Sequence, residues 1–176
     1  MTIYIVTGPP GSGKSTVCDS LAKHFDRGLH LHCDDLYNMV KGGHRAPWDD
    51  SDDFLKDLMF EASNKLISTY SEADFDIVVD YVFSLAQLQK FISNITDPIV
   101  LCVLLPSLEK NVERDKNRQW VIGESRVSKY HKEFSELKIL QPFVIDTTSI
   151  DPERIVEDIL CMKPSDSFEL KNRLQT

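Results

Sequence analysis

Gly8-Pro9-Pro10-Gly11-Ser12-Gly13-Lys14-Ser15-Thr16 follows directly on a short apolar run, Ile3-Tyr4-Ile5-Val6-Thr7. The nine residues satisfy G-x-x-x-x-G-K-[ST], the spacing of a loop that wraps the phosphates of a nucleoside triphosphate. Three of the seven glycines fall between positions 8 and 13, where the backbone must turn so that successive N–H groups converge on phosphate oxygens. Lys14 adds a positive charge suited to the β- and γ-phosphates, and the Ser15 hydroxyl is a candidate Mg²⁺ ligand. Downstream, Val17, Cys18, Leu21, Ala22 and Phe25 recur at helical spacing. Strand, glycine loop and helix in that order place phosphates at a helix N-terminus. The dinucleotide fingerprint G-x-G-x-x-G fails because Thr16 stands where its third glycine belongs. Gly8 to Thr16 therefore implies nucleoside triphosphate binding, with ATP and Mg²⁺ as the expected pair.

The chain has 176 residues, 41% apolar and 27% charged, enough for one well-buried domain and too few for two comfortable ones. No run of about 18 apolar residues occurs, so no membrane span is expected. The chain enters a strand almost at once, leaving no room for a secretory signal. Cys18, Cys33, Cys102 and Cys161 are scattered without C-x-x-C spacing. They read as small apolar residues in a reducing, cytoplasmic compartment. A net charge of −8 argues against a nucleic-acid partner, whose backbone favours a basic surface. Nothing in the sequence fixes the oligomeric state.

Apolar runs and helical patterns alternate to the end. Strands are expected at Ile3–Thr7, Leu29–Cys33, Ile77–Val79, Ile99–Leu105 and Phe143–Ile145. The fourth is continuously apolar, as a parallel strand covered on both faces should be. A long helix between the second and third strands carries Phe54, Leu55, Leu58, Met59, Ala62, Leu66 and Ile67 on its expected buried side. Further helices are expected at Leu85 to Ile95, Leu108 to about Arg118, and Ser125 to Leu137. A last one starts with Asp151 as N-cap and Pro152 in the first turn. This pattern predicts an α/β domain over residues 1–162 with ligands at the carboxyl ends of parallel strands. Residues 163–176 read as a frayed or loosely docked tail.

Carboxylates stand at those strand ends. Asp34-Asp35 closes the second strand, and Asp34 is suited to orient or deprotonate a hydroxyl attacking the γ-phosphate. Asp35 fits the first turn of a following helix. Asp80 ends Ile77-Val78-Val79, an apolar run closed by a carboxylate that would hold Mg²⁺. Arg114 and Arg118 are four apart and share a helical face. Two guanidiniums beside a nucleotide neutralise charge as phosphate moves, while pairing of Asp115 with Arg118 would make an ordinary surface. The helical pattern breaks around Gly123, and a lid is expected at about 119–125. In the connection from Asn38 to Trp48, Arg45 and Trp48 are candidate acceptor contacts, with His44 and Tyr37 behind them. His30 and His32 are expected to face opposite sides of the second strand as structural histidines.

Taken together, the chain resembles the small P-loop kinases, among them shikimate kinase, gluconate kinase, chloramphenicol phosphotransferase, polynucleotide kinase and the nucleoside monophosphate kinases. The resemblance spans nearly the whole chain and rests on Gly8–Thr16, Asp34, Arg114-Asp115-x-x-Arg118, and Asp146-Thr147-Thr148-Ser149 after the last strand. It implies a single P-loop NTPase domain with a five-stranded parallel sheet in the order 2-3-1-4-5, helices on both faces and a small lid after strand four. It also implies Asp34 as the acceptor-hydroxyl base, Arg114 and Arg118 as lid arginines, and Asp146 and Thr147 beside adenine. Transfer of the γ-phosphate from ATP to a small hydroxyl-bearing acceptor is the activity it suggests. A nucleic-acid or nucleotide kinase and an NTPase module without acceptor are the alternatives. A switch GTPase is disfavoured because the base-reading N-K-x-D element is missing, and the chain is short for an oligomeric ATPase with a helical lid domain.

Overall fold

A computed structural model describes residues 1–43, 53–118 and 121–175. His44, Arg45 and Trp48 lie outside the described residues, as do Gln119 and Trp120 of the expected lid. Five parallel strands form the sheet: β1 (Ile3–Thr7), β2 (Gly28–His32), β3 (Asp76–Asp80), β4 (Ile99–Leu104) and β5 (Val144–Ile145). Their spatial order is β2-β3-β1-β4-β5, as the resemblance implies. The first four are central or long enough to be read from apolar runs. The fifth is shorter than expected because a 3₁₀ turn, Lys138–Phe143, takes up the residues before it.

Period-two alternation along the strands splits the core into two layers. Tyr4, Val6, Val78, Val100 and Cys102 face α1 (Lys14–His24) together with a late helix over Pro152–Leu160. Ile3, Ile5, Ile77, Val79 and Leu101 face the opposite side. That side is covered by α2 (Cys33–Asn38), α3 (Asp53–Ser71) and α4 (Leu85–Ile92). After β4 come α5 (Leu108–Lys116) and α6 (Glu124–Glu136), then α7 (Pro152–Leu160) and α8 (Ser167–Arg173). Helices on both faces are thus confirmed. Asp151 caps α7 by accepting from the Glu153 N–H at 3.3 Å, with Pro152 at the first position, where its missing N–H costs nothing.

Three expectations need correction. On α3, Met59 and Ile67 are buried and Leu55 and Leu66 partly so, as expected, but Phe54 and Leu58 are exposed and Lys56, Phe60 and Ser63 are buried. The helix is turned so that the Phe60 ring joins Tyr81, Phe83 and Phe91 at centroid distances of 5.6–5.7 Å, an edge-and-tilt aromatic cluster under the sheet. The segment after Lys163 is not frayed. Ser165 bridges to Ile99, and α8, capped by Asp166, buries Leu170 and Leu174. Finally, His30 and His32 share one face of β2, because residues two apart on a strand point the same way. In register they lie opposite Val78 and Asp80, on the α1 side.

Candidate active site

The turn from β1 into α1 is built from backbone that only glycine accepts readily. Gly8 has φ +141°, and a Cβ there would sit 2.2 Å from the Leu104 carbonyl oxygen. Gly11 has φ +80° and presses on Asn111. These contacts hold the loop against β4 and α5. The buried Lys14 Nζ donates to the carbonyls of Gly8 at 3.1 Å and Pro9 at 3.0 Å. Burial lowers its pKa, while the charges of Asp80 and Asp34 act in the other direction. Ser15 and Thr16 are exposed in the first turn of α1. Beside them opens a cavity of about 340 Å³, lined by residues 11–17, by Arg114 and Arg118, and across from the loop by Ile150, Pro152 and Ile155.

The far wall is apolar, and Asp146 and Thr147, which the resemblance sets beside adenine, are not among the cavity's lining residues. Asp146 is exposed and bonds its own turn, accepting from the Thr148 hydroxyl and from the Thr148 N–H at 2.9 Å; these bonds lower its pKa. Thr147 is fully buried, and its hydroxyl donates to Ser12 O at 3.3 Å. It therefore props the loop from beneath, and the cavity wall begins at Ile150.

β2 stops at His32, and Cys33 opens α2, so Asp34 and Asp35 stand in the helix's first turn and not at a strand end. Asp34 Oδ2 lies 4.0 Å from His32 Nε2. Burial raises its pKa, Asp80 adds to the rise, and His32 and Lys14 oppose it. Asp35 points outward and pairs with His32 Nδ1 at 3.1 Å. Asp80 is the last residue of β3 and only 1% exposed. Burial works to raise its pKa, yet His30, Lys14, Ser15 and His32 outweigh it and hold the carboxyl below the usual range. His30 and His32 each bring Nε2 to 3.7 Å from Asp80 Oδ2, and that oxygen accepts no hydrogen bond among the described residues. A buried, charged, under-satisfied carboxylate close to the Ser15 hydroxyl is a hard oxygen donor set of the kind Mg²⁺ takes. The residues fit the ion.

Arg114 and Arg118 both line the cavity, but not from one helical face: α5 ends at Lys116, and Arg118 lies past its C-cap Asn117. The Arg114 guanidinium donates to Thr147 O at 2.9 Å and Ser12 O at 3.4 Å, bracing the phosphate loop against the segment after β5. Arg118 is exposed at the cavity and 3.8 Å from Asp115. Asn111 and Thr7, to which the sequence assigns no role, and Asp115, expected in a surface pair, complete the frame. Asn111, fully buried, donates to Pro10 O. Thr7 accepts from the Phe83 N–H at 3.1 Å, fixing the exit from β3 to β1. Asp115, 1% exposed, accepts from the N–H groups of Ile122 and Gly123, the latter at 2.9 Å, and so ties down the described part of the expected lid. Asn111 and Arg114 follow i, i+3 spacing on α5, a helical pattern visible in the sequence.

The family model described as "AAA domain" matches residues 5–141, taking in the loop, Asp34, Asp80 and both arginines. No curated protein matches the chain by sequence. Among solved structures, the tunicamycin resistance protein of Deinococcus radiodurans is similar with a TM-score of 0.68 and 17% identity, over 93% of this chain and 98% of that one. A gluconokinase from Sinorhizobium meliloti 1021 is similar at 0.66 and 16%, over 99% and 95%. A chain of the Pnkp1/Rnl/Hen1 RNA repair complex is similar at 0.66 and 18%, with 94% of this chain covering 48% of that one. At such identities the likeness is one of fold, that of the P-loop kinases. Among the described residues no helix is long and apolar enough to cross a membrane.

Proposed function

This chain is a member of the AAA domain family, and we propose that within it the chain is an ATP-dependent kinase that transfers the γ-phosphate to a hydroxyl of a small-molecule acceptor. The observation that carries this reading is the meeting of Lys14, Asp34 and Asp80, whose charges act on one another beside the phosphate loop. A triphosphate-binding loop needs only the lysine and a metal-holding carboxylate. A second acidic side chain, Asp34, partly open and held at a raised pKa, is the group a hydroxyl acceptor requires.

In this reading the backbone N–H groups of Gly11 to Ser15 bind the β- and γ-phosphates, and Lys14 leaves its two carbonyl partners for phosphate oxygen. Ser15 and Asp80 hold Mg²⁺, which when bound offsets phosphate charge. Asp34 takes the acceptor's proton as its oxygen forms the new bond to phosphorus and the bond to ADP breaks. Ile150, Pro152 and Ile155 cover the adenine. Arg118 neutralises charge on the moving phosphoryl group. Arg45 and Trp48 are assigned to the acceptor from sequence alone. Replacing either by Ala should raise the acceptor KM and leave the ATP KM unchanged. Four free cysteines, three of them buried, agree with a cytoplasmic location.

Incubation with ATP, Mg²⁺ and a panel of sugar acids, polyols, nucleosides and a 5′-hydroxyl oligonucleotide, read by product mass, tests the assignment. Phosphate on a small hydroxylated compound is expected. Phosphate released only to water would make the chain an acceptor-less ATPase, and transfer to the oligonucleotide alone would make it an end kinase.

The two arginines should separate. Arg118→Ala is expected to lower kcat about tenfold or more with the ATP KM nearly unchanged. Arg114→Ala removes a charged donor from two main-chain carbonyls, at a cost of about 1.5–3 kcal/mol. It should therefore lower the melting temperature and weaken ATP binding. Identical behaviour of the two variants in kinetics and thermal melting would contradict the distinction.

A further inference from the structure

Beneath the phosphate loop, Cys18 Sγ, a ring nitrogen of His30 and a carboxylate oxygen of Asp80 all lie within 4.8 Å of one another. The fold explains why they meet. Lys14 and Cys18 are one turn apart on α1, so the thiol projects from the same face as the lysine, toward the sheet. β2 is the edge strand, and its period two brings His30 and His32 to that same side, beside the end of β3. Cys18 is fully buried and Asp80 nearly so. Two polar atoms in this cluster, His30 Nε2 and Asp80 Oδ2, are buried with no hydrogen-bond partner among the described residues. Triphosphate binding does not account for a thiol and an imidazole here, because Mg²⁺ takes oxygen ligands.

We propose that Cys18, His30 and Asp80 form a binding site for a borderline divalent cation, Zn²⁺ being the best fit. One sulfur, one nitrogen and one oxygen are the ligand types zinc accepts together. Tetrahedral zinc bonds of about 2.0–2.3 Å put neighbouring ligand atoms about 3.3–3.8 Å apart, nitrogen–oxygen pairs at the short end. The 3.7 Å from His30 Nε2 to Asp80 Oδ2 is within a few tenths of an ångström of the nitrogen–oxygen spacing. The remaining closure, from at most 4.8 Å, is within the reach of small side-chain rotations of Cys18 and His30. His32, 3.7 Å from the same carboxylate oxygen, orients that ligand from outside the coordination shell. Entry is from the sheet edge, where the His30 side chain keeps 22% of its surface, and a water completes the tetrahedron. The site shares Asp80 with the proposed Mg²⁺ position, so occupancy by zinc and use of that carboxylate by magnesium exclude each other.

The test needs no enzymatic activity, so it stands apart from the kinase assignment. The full chain, without nucleotide, is titrated with Zn²⁺ against a chromophoric chelator, and separately with Co²⁺ while near-ultraviolet absorption is recorded. One equivalent of zinc is expected. Cys18→Ala and His30→Gln should each weaken it at least about tenfold, and Cys161→Ser, which removes the exposed thiol, should leave it unchanged. Co²⁺ should give a thiolate charge-transfer band in the wild type that is missing in Cys18→Ala. His30 is partly exposed, so His30→Gln keeps the test decisive if loss of the buried thiol disturbs folding. Wild-type affinity in His30→Gln, loss of binding in Cys161→Ser, or no stoichiometric zinc at all would overturn the site.

Discussion

Lys14→Ala is expected to reduce phosphoryl transfer by on the order of 10²–10³ while the protein remains folded. The ammonium is buried, and its partners are the carbonyls of Gly8 and Pro9. Its pKa is lowered by burial, so the folded state holds this proton less tightly than the unfolded one. The charged form is thus a cost to the fold at neutral pH, and removing it should not lower stability sharply. The two carbonyls lose their donor, but the space the side chain vacates joins the cavity that Lys14 lines, so water can reach them. ATP affinity falls less than the rate, since the charge acts most strongly on the phosphate that gains charge in transit. Kinetics with any acceptor found, or ATP hydrolysis in its absence, together with a melting curve provide the check. Wild-type turnover in this variant would remove the basis for a phosphate-transfer role of the loop.

What the sequence disclosed and what it hid divide along the range of the interactions. The loop was legible because its chemistry is local: glycine backbone, one lysine and one hydroxyl within nine residues. The strands of the sheet centre were legible because parallel strands covered on both faces are apolar throughout. Edge strand β2 was harder. It carries polar residues on one face, and its end could be located only to within a residue, so Asp34 was set on a strand and stands in a helix.

Arg114 and Thr147 show a second limit. Their partners in the phosphate loop are 102 and 135 positions away, and no periodicity reports such a contact. A charge four residues from another is equally consistent with a lid, a brace or a surface pair. Asp115 is more instructive. In sequence it looks like half of a solvent-exposed pair with Arg118, yet it is buried under the N–H groups of Ile122 and Gly123. The docked α8 was within reach, since Asp166 as cap and Leu170 and Leu174 four apart make an amphipathic turn. The surrounding Pro164, Ser165 and Ser167 concealed it.

Asp34→Asn should lower transfer by roughly two orders of magnitude or more with nearly normal ATP binding. The change keeps size and hydrogen-bonding reach and removes only the capacity to take a proton. The wild-type carboxyl has a raised pKa, chiefly through burial, with Asp80 adding and His32 and Lys14 opposing. The folded state therefore binds this proton more tightly than the unfolded chain. Stability contributed by the group falls as pH rises from the ordinary carboxylate range through the raised value, and at neutral pH the ionised side chain opposes folding. Asparagine carries no such charge. The variant should accordingly be at least as stable as wild type at neutral pH, with the difference vanishing in acid below the carboxylate range. In the wild type, the acid limb of kcat/KM should lie above the ordinary aspartate pKa, since only the ionised form serves as base. Asp35→Asn is the control: that carboxylate points outward and pairs with His32, so its loss should leave turnover nearly intact. If Asp35→Asn is the inactive variant and Asp34→Asn the normal one, the hydroxyl base belongs one residue further along α2, and the acceptor must approach from its solvent side.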